Sequence, residues 1–97
     1  MNMHIEKINN FLLEILSEMG IYIDMKIDEE NDIDLTEYIS NSIDFITFFI
    51  EIEDTLNIEL PDTLLGLDNI KSLHAFANKI MIYLQEQEKT DFFMSEN

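Results

Sequence analysis

The chain has 97 residues, 21 acidic against five basic, with no cysteine and a formal net charge of −16. That length suits one small domain, and a hydrophobic fraction of 46% argues against disorder. The charge makes nucleic acid and anionic membranes poor partners and favours basic protein surfaces, while the missing cysteines exclude disulfides, thiolate metal sites and a cysteine nucleophile.

Residues 3 to 19 are expected to form the first helix. Ile5, Ile8, Leu12, Ile15, Leu16 and Met19 recur at helical spacing, and Gly20 is a good stop. His4 has no partner histidine or cysteine nearby and reads as solvated rather than as a ligand. Ile21, Ile23, Met25 and Ile27 then alternate as in a strand, but no second alternating segment is there to pair with. An extended loop that drops alternate apolar side chains onto the helices is expected instead. The acidic run Asp28 to Asp34 does not fit a calcium loop. From Asp28, the sixth and twelfth positions are Ile33 and Ile39, where a glycine and a bidentate glutamate are needed. Leu35, Tyr38 and Ile39 are expected to anchor this loop.

The stretch Asn41 to Pro61, NSIDFITFFIEIEDTLNIELP, carries the most information. Asn41 is a plausible N-cap, with Ser42 at the first helical position and Asp44 at the third, a capping-box pattern. The Ser42 hydroxyl is expected to point outward beside the free N–H groups of the helix start. At about 100° per residue, Phe45, Phe48, Phe49, Ile52 and Leu56 share one face, suited to a core. Ile43, Ile46 and Ile50 fall on a second stripe centred roughly 130° away. Asp44, Glu51, Glu53 and Asp54 border it. Such a stripe has two readings. It packs under the preceding loop, or it is a docking surface for a basic partner. In the second case Ile46→Ala and Glu53→Lys weaken binding with little change in melting temperature.

Asn57 is expected to end this helix, at about 42 to 56, with Ile58 and Leu60 turned inward. Pro61 and Asp62 are expected to open a short third helix, about 62 to 66, that Gly66 closes. Leu64, Leu65 and Leu67 would cap one end of the core. A last helix is expected from the N-cap Ser72 to about Gln85, burying Leu73, Phe76, Ala77, Ile80 and Leu84 and leaving His74 outside. Residues 1–86 thus read as one domain. Residues 87–97 lose periodicity and are expected to fray, with Phe92 and Phe93 packing back or meeting a partner. The fold class is all-α: a small four-helix bundle of three main helices and one short one, with a long first loop.

The run Asn41-Ser42-Ile43-Asp44, with Leu60-Pro61-Asp62 closing the stretch, resembles the acyl carrier protein family. That family has Asp-Ser-Leu at the start of its second helix and an Ile-Pro-Asp-like end after it. The resemblance also covers acidity and element order over most of the chain. It implies that Ser42 carries 4′-phosphopantetheine and that Asn41 stands beside it in the place of the usual aspartate. It matches Ile43, Ile46, Ile50, Glu53 and Asp54 to the family's recognition helix, and with Asp44, which borders the stripe, these are the expected partner-docking residues. Thr47 departs from a common recognition glutamate, and the connection after the second helix is two residues longer than in the family.

Two histidines far apart, no cysteine and no arginine leave no catalytic constellation, so an enzyme is not expected. The function implied by the resemblance is a carrier that holds acyl groups as thioesters on the arm, in fatty-acid or related acyl-chain synthesis. It would be modified by a phosphopantetheinyl transferase and would present its cargo to acyl-transferring or acyl-activating enzymes with basic surfaces. A specialised aminoacyl, peptidyl or polyketide carrier is the alternative within the class. An unmodified acidic adaptor is the alternative outside it. No apolar run spans a membrane and no signal peptide is visible, so a cytoplasmic monomer without bound metal is expected.

Overall fold

The computed structural model describes residues 3–24 and 31–87. Among them the chain is compact and mostly helical, with three α-helices, several 3-10 turns and no strand. Helix α1 spans Met3–Glu18, α2 spans Ser42–Leu56 and α3 spans Leu73–Glu86. Helix α1 packs chiefly on α3 and also on α2.

The apolar spacing of each helix decides which face is buried. On α1, Ile8, Phe11, Leu12, Ile15 and Leu16 form one stripe closed to solvent. Gly20 ends the helix at φ +86°, a conformation that costs least without a Cβ. Ile21 donates its N–H to the Leu16 carbonyl at 2.8 Å and Gly20 to that of Ser17 at 3.0 Å, the paired bonds of a Schellman cap. Beyond it Ile21 and Ile23 pack against the core while Tyr22 and Asp24 face water, as the alternation predicts for an extended loop. Met25 and Ile27, the first three residues of the acidic run (28–30), the side chain of His4, and the tail with Phe92 and Phe93 lie outside the described residues.

Asp34 caps a 3-10 turn, Leu35–Glu37, by accepting the N–H of Thr36 at 2.9 Å. Leu35 and Ile39 are buried, as expected, but Tyr38 is exposed. Leu35 and Ile39 are four positions apart, so both reach the same side, while Tyr38 caps the turn and points away.

The segment 62–70 differs from expectation. No α-helix forms at 62–66. A 3-10 turn, Asp62–Leu64, is followed by extended Gly66 (φ −89°, ψ 154°) and a second 3-10 turn, Leu67–Ile70. Five residues are too few to repay α-helix nucleation, and i→i+3 bonds satisfy the backbone sooner. Leu64 is buried and Leu65 partly so, but Leu67 is exposed and Ile70 takes the core position. The Asn69 amide joins the turns, donating to the Thr63 carbonyl at 2.9 Å and accepting from Lys79 at 2.8 Å.

The core between α2 and α3 is aromatic. Phe49 meets Phe45 edge-on at 4.8 Å and Phe76 edge-on at 5.6 Å, and Phe48 lies 6.1 Å from Phe76. Such contacts add about 0.5–1.5 kcal/mol per pair beyond burial. On α3 the expected face is buried, joined by Met81. Among the described residues, no helix is long and apolar enough to cross a membrane.

Candidate functional site at the start of the second helix

Asn41 has extended backbone (φ −138°, ψ 161°), and its side-chain oxygen accepts the N–H of Asp44 at 2.8 Å. Its amide nitrogen donates to the Asp44 carboxylate at 3.2 Å. The cap is reciprocal, though the returning carboxylate meets the Asn41 side chain rather than its backbone. Between the two, Ser42 occupies the first helical position and is exposed. A helix start concentrates N–H groups and positive dipole, which favour a negatively charged substituent.

The second stripe of α2 is free of the fold. Ile43 is 75% exposed, Ile46 55% and Ile50 46%, while Phe48, Phe49, Ile52 and Leu56 are buried. The reading in which the stripe packs under the preceding loop is set aside for the described residues. Asp54 is exposed, and Asp44, Thr47, Glu51 and Glu53 are half-buried. Asp44, Thr47 and Glu51 line a shallow groove with Glu18 and Met19 from the end of α1.

Glu53 is not a simple surface acid. Its carboxylate accepts the N–H of Leu60 at 2.8 Å, and its carbonyl accepts from Asn57 and Ile58. Asn57 makes this turn at φ 55°, the left-handed conformation that asparagine tolerates. One residue thus ties the end of α2 to the segment that follows. The Tyr83 hydroxyl holds the same segment from α3, donating to the Glu59 carbonyl at 2.6 Å.

A polar cluster joins the loop to α3 and α1. The Asp32 carboxylate accepts from the Ser72 hydroxyl and from the His74 backbone N–H at 3.0 Å. Ser72 in turn caps α3 by accepting the N–H of Ala75 at 3.0 Å. The His74 ring lies 2.9 Å from the Asn31 carbonyl and 3.3 Å from the amide of buried Asn9. His74 is therefore half-buried and engaged, not outside the fold. Burial raises the Asp32 pKa, but the Ser72 and backbone hydrogen bonds and the His74 charge outweigh it and hold the carboxyl below its ordinary range. Sequence reading missed this cluster. Asn9 carried the one signal, since it stands on the apolar face of α1, four residues after Ile5 and three before Leu12.

The structure thus gathers Asn41, Ser42 and Asp44 at one end of α2, with Ile43, Ile46, Ile50 and Asp54 along its open face, and turns Glu53 toward Leu60. Comparison with protein-family models, curated proteins and solved structures gives no match to this chain.

Proposed function

We propose that the protein is an acyl carrier, holding cargo on a 4′-phosphopantetheine arm attached to Ser42. The observation that carries the reading is an outward serine at the first position of a helix whose apolar stripe is left open and bordered by acids. Pro61 follows Ser42 at nineteen residues, the spacing on which the resemblance to carrier proteins rests. A four-helix, carrier-like arrangement is part of the proposal, with the 3-10 turns at 62–70 standing in place of the short helix.

The chemistry asked of the chain is modest. On a magnesium-dependent phosphopantetheinyl transferase the Ser42 hydroxyl, giving up its proton to the enzyme, attacks the pantetheine-bearing phosphorus of coenzyme A, the P–O–P bridge breaks and adenosine 3′,5′-bisphosphate leaves, and the phosphodiester formed lies at the helix start. The arm supplies the thiol that this cysteine-free chain lacks. Asn41 holds the helix start without adding a second negative charge next to Asp44. The open stripe of α2 meets successive enzymes, and the protein contributes delivery at high effective concentration rather than bond-making. Fatty-acid or related acyl-chain synthesis in the cytoplasm is the proposed setting, with the protein acting as a monomer. Shelter of an acyl chain beside Phe45, Phe49, Phe76 and Leu64 requires the edge-on aromatic contacts to part.

The test is incubation of the full chain with coenzyme A, magnesium and broad-specificity transferases, followed by peptide mapping. A phosphopantetheine on the Ser42 peptide supports the carrier. A folded chain left unmodified favours the unmodified adaptor.

A further inference from the structure

The acids beside the open stripe are not spread evenly around it. At about 100° per residue, Asp54, Thr47, Glu51 and Asp44 follow Ile43 in turn around one side of α2. On the other side, next to Ile46, the helix carries one acid, Glu53, whose Oε2 accepts the Leu60 N–H. The acidic side also continues onto α1, because Glu18 and Met19 complete the groove that Asp44, Thr47 and Glu51 line. Glu18 is exposed and Glu51 half-buried.

We infer that the docking face is one-sided. A partner lays apolar side chains over Ile43, Ile46 and Ile50 and places lysines or arginines in the α1–α2 groove among Glu18, Asp44 and Glu51, leaving the Glu53 edge uncontacted. This rests on the proposal that α2 is the face through which partners are met. It adds Glu18 and Glu51 to the recognition surface and removes Glu53 from it. The physical reason is that the Leu60 bond turns the Glu53 carboxylate toward the segment after α2 and leaves it a single acid on that edge, whereas Glu18, Asp44 and Glu51 lie together on one groove and share a counter-charge. Clustering on one side also fixes the orientation in which a basic partner sits, since the reversed pose sets its cations against Ile46 and an engaged glutamate.

The test uses the full chain and one defined probe, a synthetic helical peptide with leucines on one face and lysines along one border. Backbone amide shifts are followed by NMR as peptide is added. The expected shifts concentrate at Glu18, Met19, Asp44, Thr47 and Glu51 and at the three isoleucines. The Glu18→Lys/Glu51→Lys variant should bind on the order of tenfold more weakly and with less salt dependence, and Glu51→Gln should weaken binding with the fold undisturbed. Glu53→Gln, which keeps an acceptor for Leu60, should bind like the wild type. No binding, unchanged affinity in the charge-reversed variant, or shifts centred on Glu53 and Leu60 would overturn the inference. Phosphopantetheine addition to Ser42 is scored separately, so a peptide seated on the wrong edge of a protein that is still modified removes the inference and leaves the carrier.

Discussion

The carboxylate of Glu53 accepts the backbone N–H of Leu60 at 2.8 Å, across the left-handed turn at Asn57. A side chain expected to serve docking instead holds the chain between α2 and the 3-10 turns. Glu53→Lys removes the acceptor from a half-buried N–H, and a loss of about 1–3 kcal/mol follows. Glu53→Gln, which retains a carbonyl oxygen, should cost about 0.5 kcal/mol. Thermal melts of the two variants check this, and equal melting temperatures for wild type and Glu53→Lys would refute it.

The two stripes of α2 predict opposite responses to the same truncation. Ile46 is 55% exposed and Ile52 fully buried. Ile46→Ala should stay within about 0.5 kcal/mol of wild type, whereas Ile52→Ala should cost about 2–5 kcal/mol through the cavity it leaves. Urea unfolding with unchanged m-values is the measurement. A large cost at Ile46 would make the open stripe part of the core.

Much of this helix was legible in sequence because its signals are local. Asn41, Ser42 and Asp44 mark the start, Asn57 marks the stop, and the bounds Ser42–Leu56 follow. The stretch after Pro61 misled for the same reason. Pro61, Asp62 and Gly66 are local helix punctuation, but a helix so short is decided by packing, and the 3-10 turns bury Leu64 and Ile70 instead. The Asp32, Ser72, His74 and Asn9 cluster was illegible because its partners lie 40 to 65 residues apart. The inward turn of Glu53 depends on where Leu60 falls after the left-handed residue, which the helical pattern does not reveal.

The Asp32 cluster makes the acid limb of stability informative. Its carboxyl is held below the ordinary value of 3.8, so the folded state favours the ionised form. That stabilisation is complete above the unfolded pKa and is lost as pH falls through the lower folded one. Asp32→Asn should lower stability at neutral pH and flatten the pH dependence below about 4. Melting temperatures of both proteins between pH 2 and pH 7, scanned on the order of one pH unit apart, provide the check. Parallel curves would show that Asp32 is not linked to folding.

Asn41→Asp tests the reciprocal cap. Aspartate caps as well as asparagine, but it sets a second carboxylate against the Asp44 oxygen that now accepts from the amide at 3.2 Å. A cost of about 0.5 kcal/mol at neutral pH is expected, and Asn41→Asp/Asp44→Asn should recover it. Modification at Ser42 should persist in Asn41→Asp at the wild-type rate or faster, because the charge usual in carrier proteins is restored beside it.

The most direct test of the carrier claim is the intact mass of wild type, Ser42→Ala, Ser40→Ala and Ser72→Ala after exposure to coenzyme A and a phosphopantetheinyl transferase. Ser72 shares a helix-start position but is spent on Asp32 and Ala75, and Ser40 precedes the helix. Ser42→Ala should fold, because the exposed hydroxyl makes no cap and Asn41 remains. One added phosphopantetheine is expected on wild type, Ser40→Ala and Ser72→Ala and none on Ser42→Ala. Addition to Ser42→Ala, or none to folded wild type with several transferases, would contradict the carrier claim.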